Sequence, residues 1–205
     1  GASGWVAAWV SPWNATASAG SNREDRRRQA QGRRPNLVIT KPGTAAGVPG
    51  IGEAIAAGVP VNVTLLFSRE QYVASSNAYL RGIERRIAAG LDPRVDSVAS
   101  LFVSRGDVAV KDRVPHALRN RLGIAIARRT YKAYRDLLAS PRWQKLAGAG
   151  AKPHRLLWAS PGTKAPDAPV PLCPDGPVAP HHSTPPPHHH PPASTDQRQA
   201  HGAVR

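Results

Sequence analysis

The sequence predicts an α/β fold in which helices cover a parallel sheet. Three observations support this prediction for residues 36–160: short apolar runs of strand length recur, amphipathic helical patterns separate them, and Gly or Pro residues bound them. Four such strands with their helices match half of a (β/α)₈ TIM barrel or part of a doubly wound sheet. The 205 residues are enough to bury a core but short for a complete eight-stranded barrel.

The pattern predicts each element of this fold in chain order. The apolar runs predict strands, and the stretches with helical periodicity between them predict helices. The predicted elements are a strand at 36–40, a helix at 47–58, a strand at 59–68, a helix from Arg69 to Ala89, a strand at 95–104, helical segments through 107–139 broken near Pro115, and a strand at 154–160.

The segments on either side differ in composition and define three predicted regions. Residues 1–34 are irregular, with a possible strand at 4–12, and residues 35–164 form the partial barrel. Residues 165–205 hold 11 of the 21 prolines and 6 of the 8 histidines, so we expect a disordered Pro/His-rich tail. These histidines could bind a transition metal adventitiously, but no metal and no cofactor is predicted.

The net charge and the single cysteine bear on the expected binding partners and cellular compartment. The net charge of +15 is compatible with a nucleic-acid partner, but most of the excess lies at helical spacings and indicates solvated helix faces. No known nucleic-acid-binding module accompanies it, so specific nucleic-acid binding is not expected. Cys173 alone cannot form a disulfide framework, and no apolar segment is long enough to cross a membrane. We therefore expect a soluble, cytoplasmic protein.

Candidate functional residues lie where the predicted strands end, because a βα barrel gathers its reactive groups at the carboxyl ends of its strands. The first strand ends at Thr40 and Lys41. The polar and aromatic candidates on later strands and loops are Asn62, Thr64, Ser100, Phe102, Arg105 and Lys164.

This set fits carbonyl chemistry on a phosphorylated sugar. An unprotonated lysine amine can attack a carbonyl to form a Schiff base. Small polar groups could hold the sugar hydroxyls and a catalytic water. Arg105 could bind a phosphate through a forked contact, and the loop "SPGTK" (160–164) could meet it with backbone N–H groups and Lys164. A solvated Lys41, and an ion pair of Arg105 with Asp107 or Asp112, are the simpler alternatives.

Four stretches closely resemble transaldolases, in particular the longer bacterial type. They are "RPNLVITKPGT" (34–44), "AAGVPVNVTLLFSREQYVASSNAYLRGIERR" (56–86), "VDSVASLFVSRGDVAVKDR" (95–113) and "RLLWASPGTK" (155–164). The resemblance implies a barrel of the class I aldolase type. It also implies a cofactor-independent enzyme of the pentose phosphate pathway, which moves a dihydroxyacetone unit from a ketose phosphate to an aldose phosphate through a lysine Schiff base.

The resemblance also implies residue roles. Asn62 and Thr64 match the family's polar pair, with Thr64 positioning the catalytic water. Ser100 and Arg105 match its substrate- and phosphate-binding residues, and Phe102 packs beside them. The family's Schiff-base lysine stands two places before the proline, at Thr40 in this chain, whereas Lys41 lies one residue later. A bulge beside Pro42 would turn Lys41 inward.

Two further differences leave the activity open. Trp9 stands where the family has a glutamate, and the family's first and last strands have no counterpart. We therefore keep three hypotheses: a transaldolase, an inactive transaldolase fragment or interaction protein, and a basic nucleic-acid-binding protein. Out-of-frame translation of the flanks is one interpretation of the abrupt change at both ends. The sequence carries no indication of the oligomeric state.

Overall fold

In the part of the chain that the structure describes, five parallel strands form one sheet whose spatial order follows the chain. They are Val6–Trp9 (β1), Leu37–Pro42 (β2), Val61–Leu66 (β3), Ser97–Phe102 (β4) and His154–Ala159 (β5). The computed structural model describes residues 6–9 and 37–160. In a doubly wound sheet the strand order reverses at a switch point, whereas here it is consecutive throughout. The fold is therefore α/β of the predicted partial (β/α)₈ barrel type.

Helices connect the strands from β2 onward. They are Val48–Ala56 (α1), Arg69–Ala88 (α2), Ser104–Val110 (α3), Leu122–Ala139 (α4) and Pro141–Gly148 (α5), with a short 3₁₀ turn at His116–Leu118. The predicted break near Pro115 is confirmed by this turn between α3 and α4. The helical segment begins earlier than predicted, at Ser104 rather than 107.

Local sequence signals explain where α2 and α5 begin. The Ser68 hydroxyl accepts a hydrogen bond from the Gln71 N–H at 3.1 Å, which caps α2. The Ser140 hydroxyl accepts from the Trp143 N–H at 3.2 Å, and Pro141 occupies the first turn of α5. Helix α5 was not predicted, although this Ser-Pro pair was its start signal.

The core lies between the sheet and the helices. Alternate strand residues contribute to it, because side chains of a strand point alternately to its two faces. We call this side of the sheet the helix face; its core members are Ile39, Val61, Val63, Ala99, Leu101 and Leu156. They pack with residues of α1 and α2, chiefly Ile51, Ile55, Tyr72, Tyr79 and Ile83.

Helices α1 and α2 cross closely because glycines lie at their contact. A Cβ atom built on Gly82 would lie 2.7 Å from Ile55 Cβ and 2.8 Å from the Gly52 carbonyl oxygen. No side chain larger than hydrogen fits there without moving a helix. The basic residues of the outer helix faces, among them Arg81, Arg128, Arg129, Lys132 and Arg135, are exposed as predicted.

Candidate functional site

The side of the sheet opposite the helix face, here called the inner face, carries a row of polar residues on three adjacent strands. Thr40 of β2 lies beside Asn62 of β3 in the strand register, and the Ser100 hydroxyl of β4 donates a hydrogen bond to Asn62 Oδ1 at 2.8 Å. Thr64 follows two residues after Asn62. The side chains of Thr40, Thr64 and Ser100 are buried, with Asn62 half-buried between them. The structure thus brings together the predicted polar set of β3 and β4.

Thr40 contributes to this inner face, and its hydroxyl has no partner among the described residues. Its Oγ1 atom is buried without a hydrogen bond in that part of the chain. A buried hydroxyl without a partner is costly, and such an atom is a common mark of a ligand or water position. The resemblance assigns this position to the family's lysine, so an alcohol stands where the family has an amine.

Lys41 follows Thr40 along β2, so the alternation of the strand assigns its side chain to the opposite face of the sheet. It is fully buried and lies beside Val63, a core member of the helix face. The register of β2 against β3 is regular from Ile39 to Pro42, with no extra residue. The bulge that would turn Lys41 toward the inner face is therefore not present in β2, and the register assigns the lysine to the helix face.

A bulge does occur one strand further on. Between Val63 and Leu66 the register of β3 shifts against β4, and Leu65 adopts a left-handed backbone with φ of 59°. Phe67, which follows the bulge, stacks on Phe102 with ring centroids 5.4 Å apart. Sequence reasoning singled out Phe102 but missed Phe67. The only sequence feature that pointed to Phe67 was its place as an aromatic residue at the end of the apolar run "NVTLLF".

Arg105 lies in the first turn of α3, at the carboxyl edge of the sheet. Its guanidinium carbon stands 4.8 Å from the centroid of the Phe102 ring. The alternative ion pair with Asp107 is not found; both Asp107 carboxylate oxygens accept the Gly123 N–H at 3.2 Å. Among the described residues Asp112 does not pair with Arg105 either. The guanidinium is exposed and stacked beside the polar row.

The side chains of Lys164, a predicted site residue, and of Trp9, which replaces the family's glutamate, have no described position. Lys164 lies outside the described residues. Trp9 lies on β1, whose backbone pairs with β2 so that Trp9 is beside Thr40. The carboxyl edge of the sheet therefore presents, from the described chain, hydroxyl and amide groups, one arginine and two stacked aromatic rings.

A second buried polar group lies at the amino end of β5, on the helix face. His154 Nδ1 is 2.8 Å from the Ser97 hydroxyl, which itself donates to the Val61 carbonyl at 3.1 Å. Since that hydroxyl has one hydrogen, the bonding pattern assigns the histidine proton to Nδ1. Burial lowers the pKa of His154 to about 3, so the ring is neutral at ordinary pH. Its position at the amino end separates it from the polar row.

The helices and the His, Cys, Asp and Glu side chains of the described residues bear on partners. No helix in this part of the chain is long and apolar enough to span a bilayer. Within residues 6–9 and 37–160, no group of three His, Cys, Asp or Glu residues is arranged to hold a metal ion.

The comparisons with known proteins agree on one family. A model of the transaldolase/fructose-6-phosphate aldolase family matches residues 1–189. The chain is 45% identical over 155 residues to a transaldolase of Parafrankia sp. and 46% identical over 155 residues to one of Thermobifida fusca, each match covering 72% of this chain. It is 42% identical over 177 residues to transaldolase 1 of Streptomyces avermitilis, with 82% of this chain covered.

The matched regions cover 42%, 42% and 47% of these relatives, so the chain spans less than half of their length. The family model nevertheless covers most of this chain, and the consecutive parallel strands are those of a barrel segment. The chain belongs to the transaldolase/fructose-6-phosphate aldolase family.

Proposed function

We propose that the inner face of the sheet is a sugar-phosphate site of the transaldolase type. At this site a dihydroxyacetone unit would pass from a ketose phosphate to an aldose phosphate, a cytoplasmic step of the pentose phosphate pathway. The observation that carries the proposal is the convergence of the polar row with Arg105 at one edge of the sheet. The Ser100 hydroxyl bonded to Asn62 Oδ1 at 2.8 Å ties two of the strands together.

The side chains divide into groups for the sugar and groups for the phosphate. Asn62 and Ser100 offer amide and hydroxyl groups to the sugar hydroxyls, and Thr64 would orient the catalytic water. Arg105 offers a planar fork of N–H donors, which suits a phosphate. Lys164 would add a second cation. The proposed reaction would need no metal or cofactor, because a lysine amine would form the covalent intermediate.

The position of the lysine amine determines whether a Schiff base can form at this site. Lys41 is the proposed amine for the Schiff base, but the register assigns it to the helix face and puts Thr40 at the inner face. A hydroxyl cannot form a Schiff base. For Lys41 to attack a substrate on the inner face, β2 would have to shift by one residue, which reverses every side chain of the strand.

This register favours a second candidate function, a family member that keeps the pocket and binds a sugar phosphate without turnover. Borohydride reduction in the presence of fructose 6-phosphate distinguishes the two, because it converts a Schiff base to a stable amine that mass spectrometry locates. The transaldolase-type reaction predicts an adduct on Lys41. The binding-only candidate predicts binding detectable by calorimetry and no adduct on Lys41, and that result would overturn the covalent reaction.

A residue exchange tests whether the position of the amine is the missing element. The double variant Thr40→Lys with Lys41→Thr keeps composition and charge but moves the amine to the inner face. We expect a borohydride-trapped adduct at residue 40 of this variant. Lys41→Thr alone is the matched control and should give none. Absence of an adduct from a folded double variant, judged by circular dichroism, would contradict the proposed geometry.

A further inference from the structure

We propose that Phe67 is a positioning residue, which acts through Phe102 to fix the direction in which Arg105 presents its guanidinium. This inference rests on the proposed function, because the ligand of Arg105 would be the phosphate of the sugar. Three features carry it: the bulge in β3, the contacts of Phe102 with both the Phe67 ring and the Arg105 guanidinium, and the absence of an ion pair between Arg105 and Asp107.

The bulge decides the face on which Phe67 lies. From Val63 to Leu66 the strand β3 advances three residues while β4 advances only two, from Ala99 to Leu101. With strict alternation Leu66 would lie on the inner face and Phe67 on the helix face. The extra residue at Leu65 reverses both. Leu66 is fully buried in the core beside Leu101, and Phe67 is delivered to the inner face against Phe102.

The backbone around Phe67 is held at a fixed place. Its N–H donates to Gln71 Oε1 at 2.8 Å, and the next residue, Ser68, caps α2 through the Gln71 N–H. A strand end and a helix start therefore fix Phe67 from both sides. Phe67 is nevertheless 37% exposed, so its ring is accessible to solvent beside Phe102.

The stack leaves the donors of Arg105 available. Phe67 and Phe102 are nearly parallel, at 26°, and the Arg105 guanidinium lies over the Phe102 ring at 4.8 Å. A guanidinium that contacts a ring keeps N–H donors at its periphery, where a phosphate can accept them. Asp107 makes no ion pair with Arg105; its carboxylate accepts the Gly123 N–H. The two rings thus support the Arg105 guanidinium without neutralising its charge.

The test compares a variant that removes the aromatic ring of residue 67 with a variant that keeps it. Phe67→Leu keeps apolar volume without a ring, and Phe67→Tyr keeps the ring. Leu91→Ala, another exposed apolar residue, is the matched control. The readouts are the nitrogen-15 and proton shifts of the Arg105 Nε–H group without ligand, and the affinity for fructose 6-phosphate by calorimetry. Arg105→Ala identifies the Arg105 signal and the share of affinity that depends on it.

We expect Phe67→Leu to move the Arg105 signal and to weaken binding by about twofold. The loss should stay below about fivefold, which corresponds to complete loss of the exposed cation–π contact between Arg105 and Phe102. Phe67→Tyr and Leu91→Ala should leave both at the natural values. An unchanged Arg105 signal and unchanged affinity in Phe67→Leu would overturn the inference. If the natural protein binds no sugar phosphate, the proposed function fails, and the ligand-free Arg105 signal alone decides whether Phe67 orients that side chain.

Discussion

Lowering the pH from 7 to 5 should destabilise the protein by about 2 kcal/mol through His154 alone. The ring is fully buried, its Nδ1–H is used by the Ser97 hydroxyl, and its Nε2 atom has no partner among the described residues. The faces of the ring are covered by Tyr79 and Tyr72, with centroids 5.1 and 6.3 Å away. A second proton on Nε2 would therefore be a buried charge without compensation.

The sign and size follow from the difference between the folded and unfolded states. Burial lowers the pKa of His154 from its ordinary value of 6.5 to about 3 in the folded protein. The unfolded chain takes up the proton first, so the contribution of His154 is full above pH 6.5 and is lost as the pH falls toward 3. At about 1.36 kcal/mol for each pH unit below 6.5, pH 5 corresponds to a loss of about 2 kcal/mol.

The measurement is the free energy of unfolding in urea at pH 7 and pH 5, for the natural protein and for His154→Asn. Asparagine can keep the N–H donor toward Ser97 and does not titrate. The variant should be less stable than the natural protein at pH 7 but should lose about 2 kcal/mol less between the two pH values. His116→Asn, in the exposed 3₁₀ turn, is the control and should keep the full pH dependence. Equal pH dependence in the natural protein and His154→Asn would refute this reasoning.

Two smaller effects on stability can be measured by the same urea unfolding. Gly82→Ala should destabilise the protein by about 1–3 kcal/mol, since the new methyl group would stand 2.7 Å from Ile55 Cβ. Gly148→Ala is the control and should not destabilise the protein, because the space around Gly148 is open. Equal stability of the two variants would contradict the close helix crossing. Arg142→Ala should cost no more than about 1 kcal/mol, because its contacts with Glu84 at 2.7 and 2.9 Å are partly exposed to solvent, and the loss should shrink in high salt.

Residue patterns in the sequence predicted the strands, most of the helices and the polar set at the strand ends. This worked because buried parallel strands are short and apolar, and because amphipathic helices repeat every three to four residues. The same patterns predicted that Asn62, Thr64 and Ser100 belong together, since the carboxyl ends of neighbouring parallel strands meet at one edge. The structure places Asn62 and Ser100 in direct hydrogen-bond contact.

The register of the paired strands decided on which face of the sheet each side chain lies. The sequence left open whether a bulge turns Lys41 inward, and the regular pairing of β2 with β3 assigns it to the helix face. It did not indicate the bulge at Leu65, which brings Phe67 to the site. The physical reason is that one inserted residue reverses the side-chain alternation of a strand, and an insertion is defined only against the neighbouring strand. The sequence by itself thus determined the elements and the family resemblance, whereas the tertiary pairing determined which residues share the inner face.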